Sequence, residues 1–212
     1  PGFGIPLHVA RLTVNASERE PWEIWVDGDG RRFVDEATSS PFERERALMG
    51  VEGLTMAAIW DERIFEEAPP VIGPDWSRHD MTTEAALGRW LHRCDTLEEL
   101  AERLGVDATG LEATVGAWNE GVDPFGRAHR PAPIARAPFW GVRCTGGMLL
   151  SRGGPRVDSM LRPLVGGEPL QGVHCVGELL GMGQFSGNNF AGGMSVGPAL
   201  SLGRWIVREL AA

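Results

Sequence analysis

The sequence predicts an α+β fold, in which short strands and amphipathic helices alternate and the last part of the chain is rich in glycine. Three features of the sequence support this prediction. Residues 23–26 alternate in polarity, a helix-capping pattern begins at Thr96, and sixteen of the 29 glycines lie between residues 141 and 203. Alternation is typical of strands, capping residues mark helix starts, and clustered glycines mark loops.

The first third of the chain is predicted to contain a β-hairpin and three further elements. A strand over 23–26 and a return strand over 31–34 flank the Asp-Gly-Asp-Gly turn at 27–30. The further elements are a helix, a strand and a helix, expected at 42–49, 54–60 and 61–67. Prolines and glycines over 69–74 then predict a loop.

The middle of the chain is predicted to be helical. A first helix is expected over 82–93. Thr96 and Glu99 form a capping-box pattern that begins a helix over 97–104, and Gly105 is expected to end it.

A further helix is expected over 108–120, with Asp107 as its N-cap. Its apolar side chains share one face, namely Leu111, Val115 and Trp118. The proline-rich stretch at 131–138 is interpreted as a linker. The change of composition there predicts one unit over 1–140 and part of another over 141–212.

Composition argues against several classes of function. The net charge is −9 without a basic tract, and no apolar run approaches the ~20 residues of a membrane span, so no nucleic-acid or membrane partner is expected. Three cysteines without CxxC spacing favour a reducing cytoplasm over a disulfide framework or a zinc site. The five histidines lack the spacing of metal ligands, so no metal is expected. The absence of tyrosine removes phenolic acid–base catalysis within this chain.

Residues 172–208 carry the strongest functional signal. A predicted strand over 173–176 leads into Gly177 and Glu178, then into a glycine-rich loop and a helix over 194–210. Glycines let the backbone approach a ligand closely, and a helix N-terminus offers free N–H groups and partial positive charge. This pattern favours a flat anionic ligand. Tight packing of a helix against a sheet is the alternative explanation of the same glycines.

Several segments resemble flavoproteins of the fumarate reductase/succinate dehydrogenase type. Residues 172–178 resemble the strand near the end of these proteins, and 192–204 resemble the helix that follows, where a GPAxxxG pattern is also similar to 3-ketosteroid dehydrogenases. Residues 153–158 resemble the segment that returns from the family's capping domain, and 30–36 resemble a hairpin of that domain. Residues 96–127 follow its cap helices, and the matches keep the family's order.

The resemblance implies two parts with different roles. Residues 1–150 would form a capping, or clamp, domain of α+β class that closes over flavin and substrate. Residues 151–212 would form the C-terminal strand and helix of an α/β FAD-binding domain. The intact protein would then be an FAD-dependent oxidoreductase that transfers hydride between the flavin and an unidentified small-molecule substrate.

The resemblance also implies a set of cofactor-binding residues. Glu178 would lie against the ribityl or ribose hydroxyl groups of FAD, and the backbone around the start of the last helix would meet the isoalloxazine ring. The full set comprises Gly177, Glu178, Asn189, Gly192, Gly193, Met194, Ser195 and Val196.

The sequence departs from this family at its substrate-binding positions. A family arginine is replaced by Phe190, and a family histidine is replaced by Leu149 or Leu150. The position of the proton-delivering arginine falls at Ser39-Ser40. Because a dicarboxylate clamp needs planar arginine forks, fumarate or succinate is not the favoured substrate. The ketosteroid branch needs tyrosines, which this chain lacks.

Arg44 and Arg46 are the candidate catalytic residues. They follow closely on the family's hairpin and could reach the space of the missing proton donor. The alternative for the run Glu43-Arg44-Glu45-Arg46 is a solvated helix face with local ion pairs.

The dinucleotide-binding motif of the family is missing from this sequence. These flavoproteins hold the FAD pyrophosphate with an N-terminal GxGxxG unit. We therefore expect a fragment of a longer protein that binds FAD weakly and is inactive alone. Two alternatives remain open, a non-catalytic binding module that has lost FAD and an oligomerisation module that self-associates through the exposed face of its FAD-binding part.

Overall fold

The computed structural model describes residues 20–72, 76–146, 153–181 and 195–211. The chain divides into two compact units, Pro1–Gly146 and Gly147–Ala212. The division at 140/141 predicted from composition is wrong, because a strand over Phe139–Thr145 crosses it and belongs to the sheet of the first unit. The assignment of the two units to a capping domain and an FAD-binding domain stays a prediction.

An antiparallel sheet of four strands organises the first unit. In chain order its strands are β1 (Ile24–Val26), β2 (Thr55–Asp61), β3 (Leu91–Cys94) and β4 (Phe139–Thr145). In space their order is β1-β2-β4-β3, and every pair is antiparallel. β2 pairs with both β1 and β4, and all its residues except Thr55 are buried, which suits its apolar sequence. A two-stranded sheet of β5 (Leu164–Val165) and β6 (Glu168–Pro169) lies in the second unit.

The helices of the described residues begin at the capping residues that the sequence supplies. They are α1 (Pro41–Met49), α2 (Glu62–Glu67), α3 (Arg78–Leu87), α4 (Leu97–Leu104), α5 (Ala108–Asn119) and α6 (Val196–Ala211). The first five follow a side chain that accepts a hydrogen bond from the N–H three residues later, namely Ser40, Asp61, Ser77, Thr96 and Asp107. Every predicted helix except the one over 82–93 is thereby confirmed to within two residues.

The helix predicted over 82–93 is wrong in its second half. α3 ends at Leu87 because Gly88 adopts the left-handed conformation, with φ 60° and ψ 25°, and closes the last turn. Leu91–Cys94 form β3 instead, since their backbone pairs with β4.

The return strand predicted over 31–34 is reduced to a single bridge between Val26 and Arg32. β1 pairs with β2 rather than with this segment. The Arg32 side chain turns into the interior, where its Nε donates to Glu36. An interior ion pair therefore replaces a regular hairpin.

The linker predicted over 131–138 is also wrong, because this stretch packs within the first unit. Ala132 and Ile134 are buried in its core. Asn119 of α5 donates to the Ile134 carbonyl (2.9 Å) and accepts from the Ile134 amide (2.8 Å). The stretch is thereby fixed to α5 before it leads into β4.

Among the described residues of the first unit, 26 apolar residues form a buried core. Trp60 of β2 and Trp140 of β4 are register partners, and both are almost inaccessible to solvent. Phe65 of α2 stacks on Trp140, with ring centroids 4.2 Å apart. The Trp140 indole N–H donates to Glu62 (2.6 Å), so this large aromatic group is buried with its polar atom satisfied.

The three cysteines are unpaired. Burial raises the pKa of the Cys144 thiol well above its usual range, so this thiol is a poor nucleophile. Within the described residues no helix has both the length and the apolar character needed to cross a bilayer. The cytoplasmic location stays a prediction.

A buried carboxylate joins distant parts of the first unit. Glu36 is fully buried and accepts hydrogen bonds from Arg32 Nε (2.8 Å) and Nη2 (2.6 Å) and from Arg127 Nη1 (3.1 Å). It also accepts from the Trp25 amide of β1 (2.9 Å). Arg127 in turn donates to the Glu23 carbonyl (2.7 Å). These bonds connect β1, the segment after it and the stretch that follows α5.

Charge in this network is balanced. Arg32 Nη1 lies 2.9 Å from Asp123 Oδ1, so two guanidinium groups meet two carboxylates. Burial by itself raises the pKa of Asp123, but the Phe125 amide and the Arg32 guanidinium together hold that pKa below its usual range. The Arg32 and Arg127 guanidinium carbons also lie 4.9 and 5.1 Å from the centre of the Trp118 ring.

Replacing Glu36 by alanine should lower the free energy of unfolding by about 3–5 kcal/mol, because Arg32 and Arg127 would stay buried without their shared partner. Glu112→Ala, on the exposed side of α5, is the matched control and should change it by less than about 0.5 kcal/mol. Chemical denaturation followed by tryptophan fluorescence measures both values. Equal effects of the two substitutions would contradict a stabilising role for the network.

Candidate functional site

The predicted cofactor residues that the structure describes lie where a short turn meets α6. Gly177–Leu180 form a 3-10 turn, and α6 begins at Val196. Gly177 has a φ of +68°, and a Cβ at this position would lie 2.9 Å from the Cβ of Ala199. Glycine alone tolerates both the positive φ and the close approach. The turn is therefore in direct contact with the first helical turn of α6.

A second glycine contact supports the other side of this turn. A Cβ on Gly154 would overlap with the backbone carbonyls of Leu179 and Leu180. Tight packing is thus sufficient to explain why both Gly154 and Gly177 are glycines. It is the alternative explanation given above to contact with a ligand.

The residues before the turn are held by a neighbouring loop, and the strand predicted over 173–176 is wrong. The Cys175 amide donates to the Leu161 carbonyl (2.8 Å), and His174 Nδ1 lies 2.7 Å from the Met160 carbonyl oxygen. These two contacts take the place of the regular hydrogen bonds between paired strands, because the neighbouring segment is an irregular turn. They fix the direction in which the chain enters the Gly177 turn.

Glu178 and the start of α6 have the chemistry expected of a site for a sugar-linked anionic ligand. Glu178 is exposed, so its carboxylate is available to accept hydrogen bonds from hydroxyl groups. The amides of Val196 and Gly197 lie in the first turn of α6, where a helix supplies no acceptors of its own. Pro198, which has no N–H, follows them, as is common near helix starts. The residues present fit FAD in this respect.

Half of the predicted cofactor set lies outside the described residues. These positions are Asn189, Gly192, Gly193 and Met194. Phe190, Leu149 and Leu150, which stand where the family has substrate-binding residues, also lie outside the described residues. Of the described members, the structure places Gly177 and Glu178 in the turn that packs on α6, and Ser195 and Val196 at the start of that helix. Their contacts with a cofactor stay a prediction.

Arg44 is buried in the first unit, with 5% of its surface exposed. Its Nη1 donates to the Thr38 carbonyl (2.6 Å) and to the Glu36 carbonyl (3.4 Å). Its Nε and Nη2 are also buried, and among the described residues neither has a hydrogen-bond partner. Burial lowers the pKa of this guanidinium, although the nearby charge of Asp35 opposes the change.

Arg46 lies two residues further along α1 but is exposed. Successive residues of an α-helix are about 100° apart, so two residues place these side chains on opposite faces. The structure therefore separates the two candidates that the sequence analysis grouped. The helical period alone predicts that the Arg44 and Arg46 side chains point in opposite directions. It does not show which of the two faces the interior.

The Nε–Nη2 edge of Arg44 is shielded from solvent and has no hydrogen-bond partner among the described residues. The Nε–H and Nη2–H bonds of a guanidinium group point the same way and match two oxygens of a carboxylate or phosphate. Main-chain carbonyls already hold Nη1, so little side-chain freedom would be lost on binding. Because an unpaired buried cation is unfavourable, an oxyanion on this edge would be stabilised.

Gly177→Ala should loosen the contact between the turn and α6. Gly172 is a matched control, because it also has a positive φ (+74°) but nothing within 4 Å of its missing Cβ. Gly172→Ala should cost about 1 kcal/mol of backbone strain, and Gly177→Ala should add about 1–3 kcal/mol for overlap with Ala199. Hydrogen exchange of the Cys175 and Gly181 amides, which both donate hydrogen bonds here, measures the opening free energy.

Ala199→Gly in the Gly177→Ala background is the second control. Removing the Ala199 methyl group should restore part of the lost protection, since that group is the nearest obstacle. Equal losses for the two glycine variants, with no rescue, would show that backbone strain alone explains the effect.

Comparison with known proteins gives one family match, two curated relatives and one solved structure. Residues 7–196 match the protein family described as FAD binding domain. Two curated relatives are the probable fumarate reductase of Shewanella frigidimarina, 26% identical over 92% of this chain, and the 4-oxocyclohex-2-ene-1-carboxylate 5-dehydrogenase of Sinomonas cyclohexanicum, 34% identical over 90% of it. The crystal structure of 3-ketosteroid delta1-dehydrogenase from Sterolibacterium denitrificans is similar over 95% of this chain, with a TM-score of 0.69 and 26% identity.

These similarities confirm the resemblance found in the sequence. The chain spans 32% and 36% of the length of the two curated relatives and 40% of the solved structure. Its mixed helix-and-sheet fold matches that of FAD-binding flavoproteins, and FAD is the cofactor of the parent family. The chain therefore belongs to the FAD binding domain family, with fumarate reductases and 3-ketosteroid dehydrogenases among its relatives.

Proposed function

We propose that these 212 residues are part of an FAD-dependent oxidoreductase that moves hydride between flavin and a carbon atom of a small organic substrate. The observation that carries the proposal is the match to the FAD binding domain family over residues 7–196. The relatives are a reductase and two dehydrogenases, so redox chemistry on an organic compound is what they share. FAD, when bound, supplies the hydride acceptor or donor.

The two units are proposed to have separate roles. The first is the capping domain, since a sheet and a core of its own suit a body that closes over a site. The second is the C-terminal part of the FAD-binding domain, since it carries the Gly177 turn and α6. The boundary proposed between the two roles, 1–150 and 151–212, lies four residues after the boundary between the compact units at 146/147.

The cofactor contacts proposed for the second unit are those that the family resemblance implies. Glu178 accepts hydrogen bonds from the ribityl or ribose hydroxyl groups. We expect the start of α6 to stabilise negative charge at the edge of the flavin ring, because a helix N-terminus offers free N–H groups and partial positive charge. The remaining proposed contacts are Gly177, Asn189, Gly192, Gly193, Met194, Ser195 and Val196.

Arg44 is proposed to bind a carboxylate of the substrate. One buried guanidinium edge matches one carboxylate, whereas a dicarboxylate such as fumarate needs a second cationic fork. The substrate named for the Sinomonas cyclohexanicum relative has one carboxylate and a carbon–carbon double bond conjugated to a ketone. We therefore propose a monocarboxylate whose reacting carbon–carbon bond lies next to a carbonyl group.

An oligomerisation module without FAD is the second candidate. α6 exposes Val196, Leu200, Val207 and Leu210, and an apolar surface of this kind favours association. Sedimentation of the chain at several concentrations, with and without FAD, separates the two candidates. Self-association that does not change when FAD is added would favour the oligomerisation module.

A hybrid enzyme tests the oxidoreductase proposal. In this hybrid, our chain replaces the region of the Sinomonas cyclohexanicum dehydrogenase that it matches. The purified hybrid should retain FAD, seen by visible absorption, and oxidise 4-oxocyclohex-2-ene-1-carboxylate with an artificial electron acceptor. A hybrid that holds FAD but converts neither this compound nor other monocarboxylates would refute the proposal.

Arg44→Met in the hybrid should lower kcat/KM for the carboxylate substrate by about 10- to 100-fold, since hydrogen bonds to a charged group contribute about 1.5–3 kcal/mol. Arg46→Met, on the exposed face of the same helix, is the control and should change kcat/KM by less than about twofold. Turnover of the neutral carboxamide analogue should not respond to Arg44→Met. Equal losses on carboxylate and carboxamide would instead indicate that Arg44 acts only on folding.

A further inference from the structure

The turn over residues 35–40 holds one nitrogen of the Arg44 guanidinium. Arg44 Nη1 donates to the Thr38 carbonyl (2.6 Å) and to the Glu36 carbonyl (3.4 Å), and both carbonyls belong to this turn. The turn is closed by a hydrogen bond from the Thr38 amide to the Asp35 carbonyl (3.2 Å). The direction of the guanidinium is therefore set by the position of these two carbonyls.

The first anchor of this turn is the buried side chain of Glu36, which is bound by Arg32 and Arg127. This anchor acts mainly on the weaker of the two contacts with Arg44. The Glu36 carbonyl lies 3.4 Å from Nη1, at the long end of the range for a hydrogen bond, whereas the Thr38 carbonyl lies 2.6 Å away. The stronger contact needs an anchor of its own.

The Thr38 hydroxyl group supplies this second anchor. Thr38 Oγ1 donates to Glu43 Oε2 (2.5 Å), and Glu43 lies in the first turn of α1. A hydrogen bond from a hydroxyl group to a carboxylate is charge-assisted and stronger than one between neutral groups. Glu43 directly precedes Arg44 in α1. Thr38 is thus bound to one turn of this helix twice, through its hydroxyl group and through its carbonyl.

The two partners of this bond lie nearer the surface than the residue they orient. Glu43 is exposed and Thr38 is half-buried, whereas Arg44 is buried. An exposed hydrogen bond of this kind contributes little to global stability, because water replaces it when it is lost. Its removal should therefore leave the fold intact while it changes the freedom of the Arg44 side chain.

We propose that Thr38 is a positioning residue for Arg44. Its hydroxyl group, held by Glu43, keeps the Thr38 carbonyl against Nη1 and so keeps the Nε–Nη2 edge in a fixed direction. A guanidinium fixed in this way loses less side-chain freedom when its second edge binds a carboxylate. Thr38 acts through Arg44 and does not itself touch the substrate. The orientation stands on the contacts described here, whereas its effect on substrate binding rests on the proposed function.

Substitutions of one threonine and its partner test this proposal. Thr38→Val removes the hydroxyl group with little change of shape, and Thr38→Ser retains it. Glu43→Ala removes the acceptor at an exposed position. Thr55→Val is the matched control, because Thr55 is also half-buried in the first unit but its hydroxyl group donates to the Gly53 carbonyl (3.0 Å).

The first measurement is the ¹⁵N relaxation of the Arg44 Nε–H bond in the 212-residue chain. Its order parameter should be about 0.85 in the unsubstituted chain, as for rigid groups, and should fall below about 0.6 in Thr38→Val. Glu43→Ala should give the same fall, and the double variant should fall no further because the same bond is lost. Thr38→Ser and Thr55→Val should keep the high value.

The second measurement is steady-state kinetics of the hybrid enzyme. Thr38→Val should raise KM for 4-oxocyclohex-2-ene-1-carboxylate about fivefold and change kcat by less than about twofold, since a carboxylate fork binds ground state and transition state alike. KM for the neutral carboxamide analogue should not respond. Thr38→Ser should restore KM, and Thr55→Val should leave it unchanged.

Three results would overturn the positioning role. An Arg44 order parameter that stays high in both Thr38→Val and Glu43→Ala would show that packing alone orients the guanidinium. An equal fall in Thr38→Ser and Thr38→Val would show that the hydroxyl group is not the cause. A rise of KM without any change in the order parameter would mean that Thr38 contacts the substrate itself. If Thr38→Val does not fold, Glu43→Ala decides by the same measurement.

Failure of the proposed function would give a different result. An order parameter that falls in Thr38→Val, with KM for the carboxylate unchanged in the hybrid, would confirm that Thr38 positions Arg44. It would also show that Arg44 does not bind the substrate carboxylate.

Discussion

The buried carboxylate of Glu36 is the interaction on which the first unit depends. Its two oxygens are shared by Arg32, Arg127 and the Trp25 amide, so one side chain connects elements that are far apart in sequence. The carbonyl of the same residue also lies within reach of Arg44 Nη1 (3.4 Å). The loop that stabilises the fold therefore orients the guanidinium group proposed to bind substrate. Stability and the proposed substrate binding would then share one short segment of chain.

The two units are stabilised by different means. The first has a four-stranded sheet, a core of 26 apolar residues and a balanced internal ion network. The described part of the second has a two-residue ladder, a few loop hydrogen bonds and glycine contacts that bring the turn against α6. Such contacts define a shape but bury little apolar surface, and apolar burial is the main source of stability. The proposed division into a closing domain and a cofactor-binding part agrees with this contrast.

Local signals were sufficient for most of the fold, and non-local contacts explain what the sequence did not reveal. Thr96 and Asp107 marked helix starts because a cap needs only residues three positions away. β3 was mistaken for helix because its partner, β4, lies far along the chain. The network around Glu36 and the burial of Arg44 were hidden for the same reason, since burial of a side chain depends on the whole unit. The Gly177 and Glu178 positions came from family resemblance, which periodicity alone does not supply.

The order of elements along the chain has a consequence for biosynthesis. The first unit precedes α6 in sequence and has its own core, so it can fold on the ribosome while the last helix is still inside the exit tunnel. α6, with its exposed apolar side chains, emerges only after everything N-terminal to it. A cofactor site that uses this helix, as proposed, is then completed only after the first unit, which is proposed to close over it, has formed. Flavin loading would thereby be delayed until translation of this region is finished.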